Sequence, residues 1–133
     1  MKYPIVVIEG HDVTMFETPA GLNYLEAIDV QAGEYEALDS EGYPLDLEID
    51  LVGRVFAVDR ADGIPEPERL AHILRRYLAF LAAHPRRLLA AEPPDSASLA
   101  ELIEAAVPFA VEPRWPTPRR PVFSWLKRRK KKP

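Results

Sequence analysis

The sequence predicts an α+β fold: an antiparallel sheet of about four strands with helices on one face, in the order ββαββαα. Three observations support this prediction. Apolar and acidic residues alternate from 45 to 51, leucine and isoleucine recur at helical spacing from 70 to 81, and glycine-containing turns separate the short extended runs. With 133 residues, 47% of them hydrophobic, the chain can bury a core of its own.

The first half of the chain begins with two predicted strands and a short helix. Residues 3–9 form an apolar, β-branched run that is typical of a central strand buried on both faces. A turn at Gly10-His11-Asp12 leads to a second strand over residues 13–17. Thr18 and Pro19 then suit the N-cap and first position of a helix, and the core-facing stripe of that helix would be Leu22, Leu25 and Ile28.

A hairpin is predicted over residues 34–51, with its turn at Glu41-Gly42. Because strand side chains alternate between faces, Leu45, Leu47, Ile49 and Leu51 should share one face, and Asp46, Glu48 and Asp50 the other. A slip of one residue would bury three carboxylates, so the register is strongly specified. Gly53 is interpreted as a bulge, after which residues 55–58 continue the fourth strand.

Two helices are predicted in the second half. The first follows the turn residues at 62–67 and ends before Pro85; its apolar stripe is Leu70, Ile73, Leu74, Tyr77, Leu78 and Leu81. In the second, Ser98 and Glu101 have capping-box spacing, ahead of the stripe Leu99, Leu102, Ile103 and Ala106. Prolines recur from Pro108 onward and favour an extended chain, so we divide the sequence into a domain over 1–107 and a proline-rich basic tail over 108–133.

Charge is distributed very unevenly along the chain. Residues 1–113 hold all 21 acids and eight of the 17 Lys and Arg residues, whereas residues 114–133 hold the other nine basic residues. The tail is therefore a candidate for contact with nucleic acid or another anionic surface, and a solvated terminus is the alternative. The residues expected to make tail contacts are Trp125, Lys127, Arg128, Arg129 and Lys130.

The sequence contains few groups that would support catalysis or metal binding. It has no cysteine, which excludes disulfides and thiolate sites and fits a reducing compartment, so we expect a cytoplasmic protein. It also has no apolar run of membrane-spanning length, and we expect no signal peptide because residues 1–9 lack the long apolar region and small-residue cleavage site of one. His11, His72 and His84 lack metal-site spacing, and neither a phosphate-binding loop nor a nucleophile elbow is present. We predict no catalytic, cofactor-binding or metal-binding residue, and a small hydrolase is only the third hypothesis.

The acidic residues of the hairpin are the candidate partner-binding site. They could form a docking face for a basic protein, or they could be an ordinary solvated sheet surface. The residues assigned to this site are Glu34, Glu36, Asp46, Glu48 and Asp50.

The N-terminal pattern also resembles a known group of proteins. It comprises Tyr3-Pro4-Ile5, Tyr24-Leu25-Glu26-x-Ile28-Asp29-Val30 and Glu34-Tyr35-x-Ala37-x-Asp39-Ser40-x-Gly42. This pattern resembles small, poorly characterised bacterial α+β proteins, some of which look like immunity proteins of polymorphic toxin systems. The resemblance covers about the first 50 residues and, more loosely, the long helix and the Leu99-x-x-Leu102-Ile103 helix. It implies a non-catalytic inhibitor that caps a toxin, with no catalytic residues to carry over, and the basic tail departs from the group's pattern.

Overall fold

The computed structural model describes residues 1–86, 88–89 and 91–111. Their strands form one antiparallel five-stranded sheet in the order β2-β1-β3-β4-β5. This architecture confirms the α+β prediction, with one strand more than expected. The elements in chain order are β1 (Ile5–Glu9), β2 (Asp12–Phe16), a 3-10 helix (Pro19–Tyr24), α1 (Ala27–Gln31), β3 (Glu36–Leu38), β4 (Pro44–Ile49), β5 (Val55–Asp59), α2 (Pro67–Ala83) and α3 (Leu99–Ala110).

The fifth strand exists because the chain reverses at Asp50, so the interpretation of Gly53 as a bulge is wrong. The backbone N–H of Gly53, at φ +84°, donates to the carbonyl of Asp50 over 3.0 Å and closes a tight turn. The Asp50 carboxylate accepts the N–H groups of Val52 and Arg54, each at 2.9 Å. As a result, β5 pairs antiparallel with β4, and Leu51 is exposed in the turn instead of sharing the apolar face of β4.

The single helix predicted after Thr18 is two short helices. Thr18 caps the 3-10 helix as expected, since its hydroxyl accepts the N–H of Gly21 over 3.3 Å. Leu25 then adopts an extended conformation, which ends that helix before α1 begins. Because of this break the predicted stripe splits: Leu22 is buried, whereas Ile28 is 69% exposed.

Helices cover both faces of the sheet, not one. Val6 and Ile8 of β1 pack with Leu38 against α2 and α3, on what we call the α2–α3 face. Ile5 and Val7 point the other way and pack with residues of the 3-10 helix and α1. β1 is therefore buried on both sides, which confirms its predicted central position.

The turn between β3 and β4 lies at Glu41-Gly42, as predicted. Asp39 is the buried polar residue of this turn, and its carboxylate accepts the backbone N–H groups of Lys2, Glu41 and Tyr43 at 2.9–3.1 Å. The carbonyl of Gly42 also accepts the N–H of Glu66, which ties the turn to the start of α2. These hydrogen bonds satisfy the backbone N–H groups of Lys2, Glu41, Tyr43 and Glu66, where the sheet connects to the helical layer.

Helix α3 begins as predicted and continues past the proposed domain boundary at residue 107. Ser98 and Glu101 form a capping box, with backbone-to-side-chain bonds of 3.1 and 3.2 Å. Pro108 lies inside the helix, and Ala110 in the last turn is fully buried. Burial of this turn offsets the backbone hydrogen bond that a proline removes. Val111 then forms a parallel bridge with Met15, so the packed region includes residue 111.

Candidate functional site

The five predicted partner-binding acids do not form one surface. Glu36 lies opposite Ile8 in the β1–β3 register, which places it on the α2–α3 face. Asp46 and Glu48 alternate with leucines that pack on the other side of the sheet, so they also belong to the α2–α3 face. Asp50 lies in the β4–β5 turn, and Glu34 lies in the connection between α1 and β3.

Three of these acids are already paired within the chain. Glu36 holds the guanidinium of Arg69 in a two-point contact, with Nη2 to Oε2 at 2.6 Å, and this bond raises the pKa of Arg69. Asp46 lies 3.0 Å from Nε of Arg60, and Asp50 lies 3.2 Å from Nε of Arg54. The arginines reduce the negative potential of these acids, so this set is a weaker docking surface than its sequence indicates.

The Asp50 carboxylate should stabilise the fold in a pH-dependent way. Its pKa is lowered first by the N–H of Arg54, then by the N–H of Val52 and the Arg54 charge. A pKa lowered on folding contributes stability above the ordinary value of 3.8, and that stability is lost as pH falls. We therefore expect Asp50→Asn to have a lower free energy of unfolding than wild type at neutral pH. This difference in stability should disappear as the pH falls below 3.8.

Urea unfolding of both proteins at several pH values measures this difference. Glu48→Gln is the control, because the described residues form no ion pair with Glu48. A stability difference for Asp50→Asn that stays constant from neutral to acid pH would show that the Asp50 charge contributes nothing.

A second group of acids surrounds a concavity on the sheet face opposite to α2. This tyrosine–acid concavity has a volume of about 360 Å³, and none of the described residues that line it is Lys or Arg. The hydroxyl of Tyr35 donates to Oδ2 of Asp29 over 3.4 Å. Burial raises the pKa of Tyr35, and the charges of Glu9 and Asp29 raise it further. The lining residues are Val7, Glu9, Asp12, Thr14, Phe16, Tyr24, Leu25 and Tyr35.

Glu34 is the predicted residue that belongs to this second group. Its backbone N–H donates to the carbonyl of Asp29 over 3.0 Å, which places the backbone of Glu34 beside the residue that accepts the Tyr35 hydroxyl. Among the described residues, neither Glu9 nor Glu34 has an ion-pair partner. The negative charge near Tyr35 is therefore not neutralised in the way that it is at Asp46.

The sequence does contain a pattern that points to the tyrosine–acid concavity, but it extends over several elements and is not visible in the alternation of a single strand. Residues 3–53 contain twelve Asp and Glu residues and no Lys or Arg. Lys2 and arginines from residue 54 onward pair with Glu36, Glu41, Asp46 and Asp50. Glu9 and Glu34, which have no ion-pair partner among the described residues, are therefore the more effective source of negative potential.

Within the described ranges, no group of three or more His, Asp or Glu side chains is arranged to hold a metal ion. No described helix combines the length and apolar character needed to cross a membrane.

His11 lies in a turn, as predicted, and contacts Arg76. The predicted tail contacts lie outside the described residues; they are Trp125, Lys127, Arg128, Arg129 and Lys130.

No protein-family model matches this chain, and neither a curated protein nor a solved structure matches it.

Proposed function

We propose that this chain is a non-catalytic binding protein that docks a basic protein surface through the tyrosine–acid concavity. The observation that supports this most is the position of Glu9 and Asp29 close to Tyr35, with Glu34 next to Tyr35 in the chain and no Lys or Arg among the described lining residues. Carboxylates attract a Lys or Arg side chain, and a tyrosine ring can add a cation–π contact when the cation lies over its face. Tyr24 is 61% exposed and can be reached by such a side chain.

Some of the small bacterial proteins that the first 50 or so residues resemble look like immunity proteins, so a toxin domain is the first partner to test. Under this proposal the chain is an immunity-type inhibitor, and its acidic surface covers a basic site on the toxin. A location in the reducing cytoplasm, which the cysteine-free sequence favours, belongs to the same proposal.

The proposal predicts an electrostatic effect that depends on position. Replacing Glu9 and Glu34 by Gln should slow association with the partner about tenfold or more and flatten its salt dependence, because rim charges steer encounter. Replacing Glu36 and Asp46 by Gln and Asn changes the net charge equally but on the α2–α3 face, so its effect should be much smaller.

The partner can be obtained by affinity purification from host cells with wild-type bait, and its binding to both variants measured by stopped-flow kinetics at several salt concentrations. Equal effects of the two double variants would show that only net charge matters and would contradict the proposed surface.

A chain ending at Glu112 separates this proposal from the alternative, in which the basic tail binds nucleic acid or another anionic surface. It should keep the partner if the concavity binds it, and should lose nucleic acid or another anionic surface if the nine tail cations bind it.

A further inference from the structure

A second cavity lies on the α2–α3 face, between the β1–β2 turn and the middle of α2. Its volume is about 400 Å³, at the small end of the range for ligand pockets. Most of its wall is apolar, and its charged or titratable groups lie near the β1–β2 turn and on one side of α2. The lining residues are Ile8, Gly10, His11, Asp12, Val13, Ile73, Arg76, Tyr77 and Phe80.

We propose that this cavity binds a small monocarboxylate with an apolar body, such as an aryl-alkanoic acid. The assignment does not rest on the basic partner proposed above, although Asp12 lines both sites. Val7 and Glu9 line the concavity on one face of the sheet, whereas Ile8 and Val13 line this cavity on the other.

Arg76 supplies the charge that identifies the ligand as an anion. Its Nη2 lies 2.5 Å from Nδ1 of His11. Because a guanidinium can only donate, His11 accepts through a neutral ring nitrogen. The positive charge of the Arg76 guanidinium is therefore not neutralised by His11. The hydrogen bond to the imidazole holds the guanidinium in place at the cavity. The remaining N–H groups of a guanidinium suit a carboxylate, which can accept two of them in parallel.

The other arginines near the sheet and α2 are already committed elsewhere. Arg54, Arg60 and Arg69 pair with carboxylates. Arg75, the neighbour of Arg76 on α2, donates instead to the backbone carbonyls of Pro94, Asp95 and Ala97. Arg76 differs from Arg54, Arg60 and Arg69 because its described partner, His11, is a neutral acceptor, so an added anion would not have to displace a described carboxylate from it. It differs from Arg75 because it lines the cavity.

The walls define the remainder of the ligand. Ile73 is partly exposed and offers aliphatic surface, and Phe80 is 65% exposed although it lines the cavity. An apolar body placed there would cover the Phe80 ring and remove its surface from water. Arg76 is the only Lys or Arg among the described lining residues, so a ligand with a single carboxylate matches the charge of the cavity better than a dicarboxylate does.

The test uses 4-phenylbutyrate and its neutral amide, titrated into the full-length protein and followed by two-dimensional amide NMR. We expect the acid to shift resonances of residues 10–13 and 73–80, and to bind at least tenfold more tightly than the amide. Arg76→Gln should remove most of that preference, because one charge-assisted bond amounts to about a tenfold difference or more. Phe80→Ala should weaken the acid and the amide alike.

Arg86→Gln is the matched control, since Arg86 is exposed, carries the same charge and does not line the cavity. It should leave the preference for the acid unchanged. The inference is overturned if acid and amide bind equally to the wild-type protein, or if neither shifts these resonances at 10 mM. It is also overturned if Arg86→Gln weakens acid binding as much as Arg76→Gln does. The comparison of acid with amide needs no variant, so a failure of Arg76→Gln to fold would not affect it.

Discussion

Gly42→Ala is expected to lower the free energy of unfolding by about 3–5 kcal/mol, a sum of backbone strain, steric overlap and a lost hydrogen bond. Gly42 has φ +89°, a conformation that side chains with a Cβ rarely adopt. A Cβ there would lie 2.7 Å from both the carbonyl carbon of Glu66 and the nitrogen of Pro67. These are backbone atoms, so the start of α2 would have to move away from the β3–β4 turn. That movement would break the 2.8 Å bond from the Glu66 N–H to the Gly42 carbonyl.

Gly33→Ala separates strain from steric overlap in this prediction. Gly33 also has a positive φ, +73°, but a Cβ built on it meets nothing within 4 Å. Its substitution should therefore cost only the backbone term, about 1–2 kcal/mol. Urea unfolding of both variants gives the comparison. Equal losses at the two positions would mean that the contact between Gly42 and the start of α2 does not constrain the fold.

Leu74→Ala should lower the free energy of unfolding by about 2–5 kcal/mol, because it leaves a cavity in addition to losing buried surface. Leu74 is fully buried in the middle of α2, within the core on the α2–α3 face. Alanine is also the best helix former, so the loss would come from packing and not from helix propensity. Chemical denaturation measures the loss directly.

Phe80→Ala on the same helix is the control for Leu74→Ala. Phe80 is 65% exposed, and exposed substitutions usually change stability by no more than about 0.5 kcal/mol. If Leu74→Ala costs as little as this control, the apolar stripe of α2 does not hold the helix on the sheet.

The elements predicted best are those specified by neighbouring residues. The stripe of α2 has a single period that selects one buried face, and Leu70, Leu74 and Leu78 are all buried there. Ser98 and Glu101 cap α3 because their spacing alone brings each side chain to the other's backbone. The fold class follows from such local signals taken in order.

The candidate site was predicted less well, because its properties depend on contacts between distant residues. Alternation correctly places Asp46 and Glu48 on one face of β4, but it cannot reveal that Arg60 pairs with Asp46 across 14 positions. Likewise, Arg69 reaches Glu36 across 33 positions. The sequence therefore overestimated the available charge on this face.

The sequence by itself determined the α+β class, the amphipathic helices and the excess of acid over base in the body of the chain. Only the tertiary structure decided that β5 turns back on β4, that helices cover both faces, and which acids are paired with a Lys or Arg side chain of the described residues. The reason is physical. Periodicity and caps depend on residues within one or two turns, whereas the hydrogen bonds of Asp50, the two-sided burial of β1 and the grouping of Glu9 with Tyr35 depend on how the elements pack.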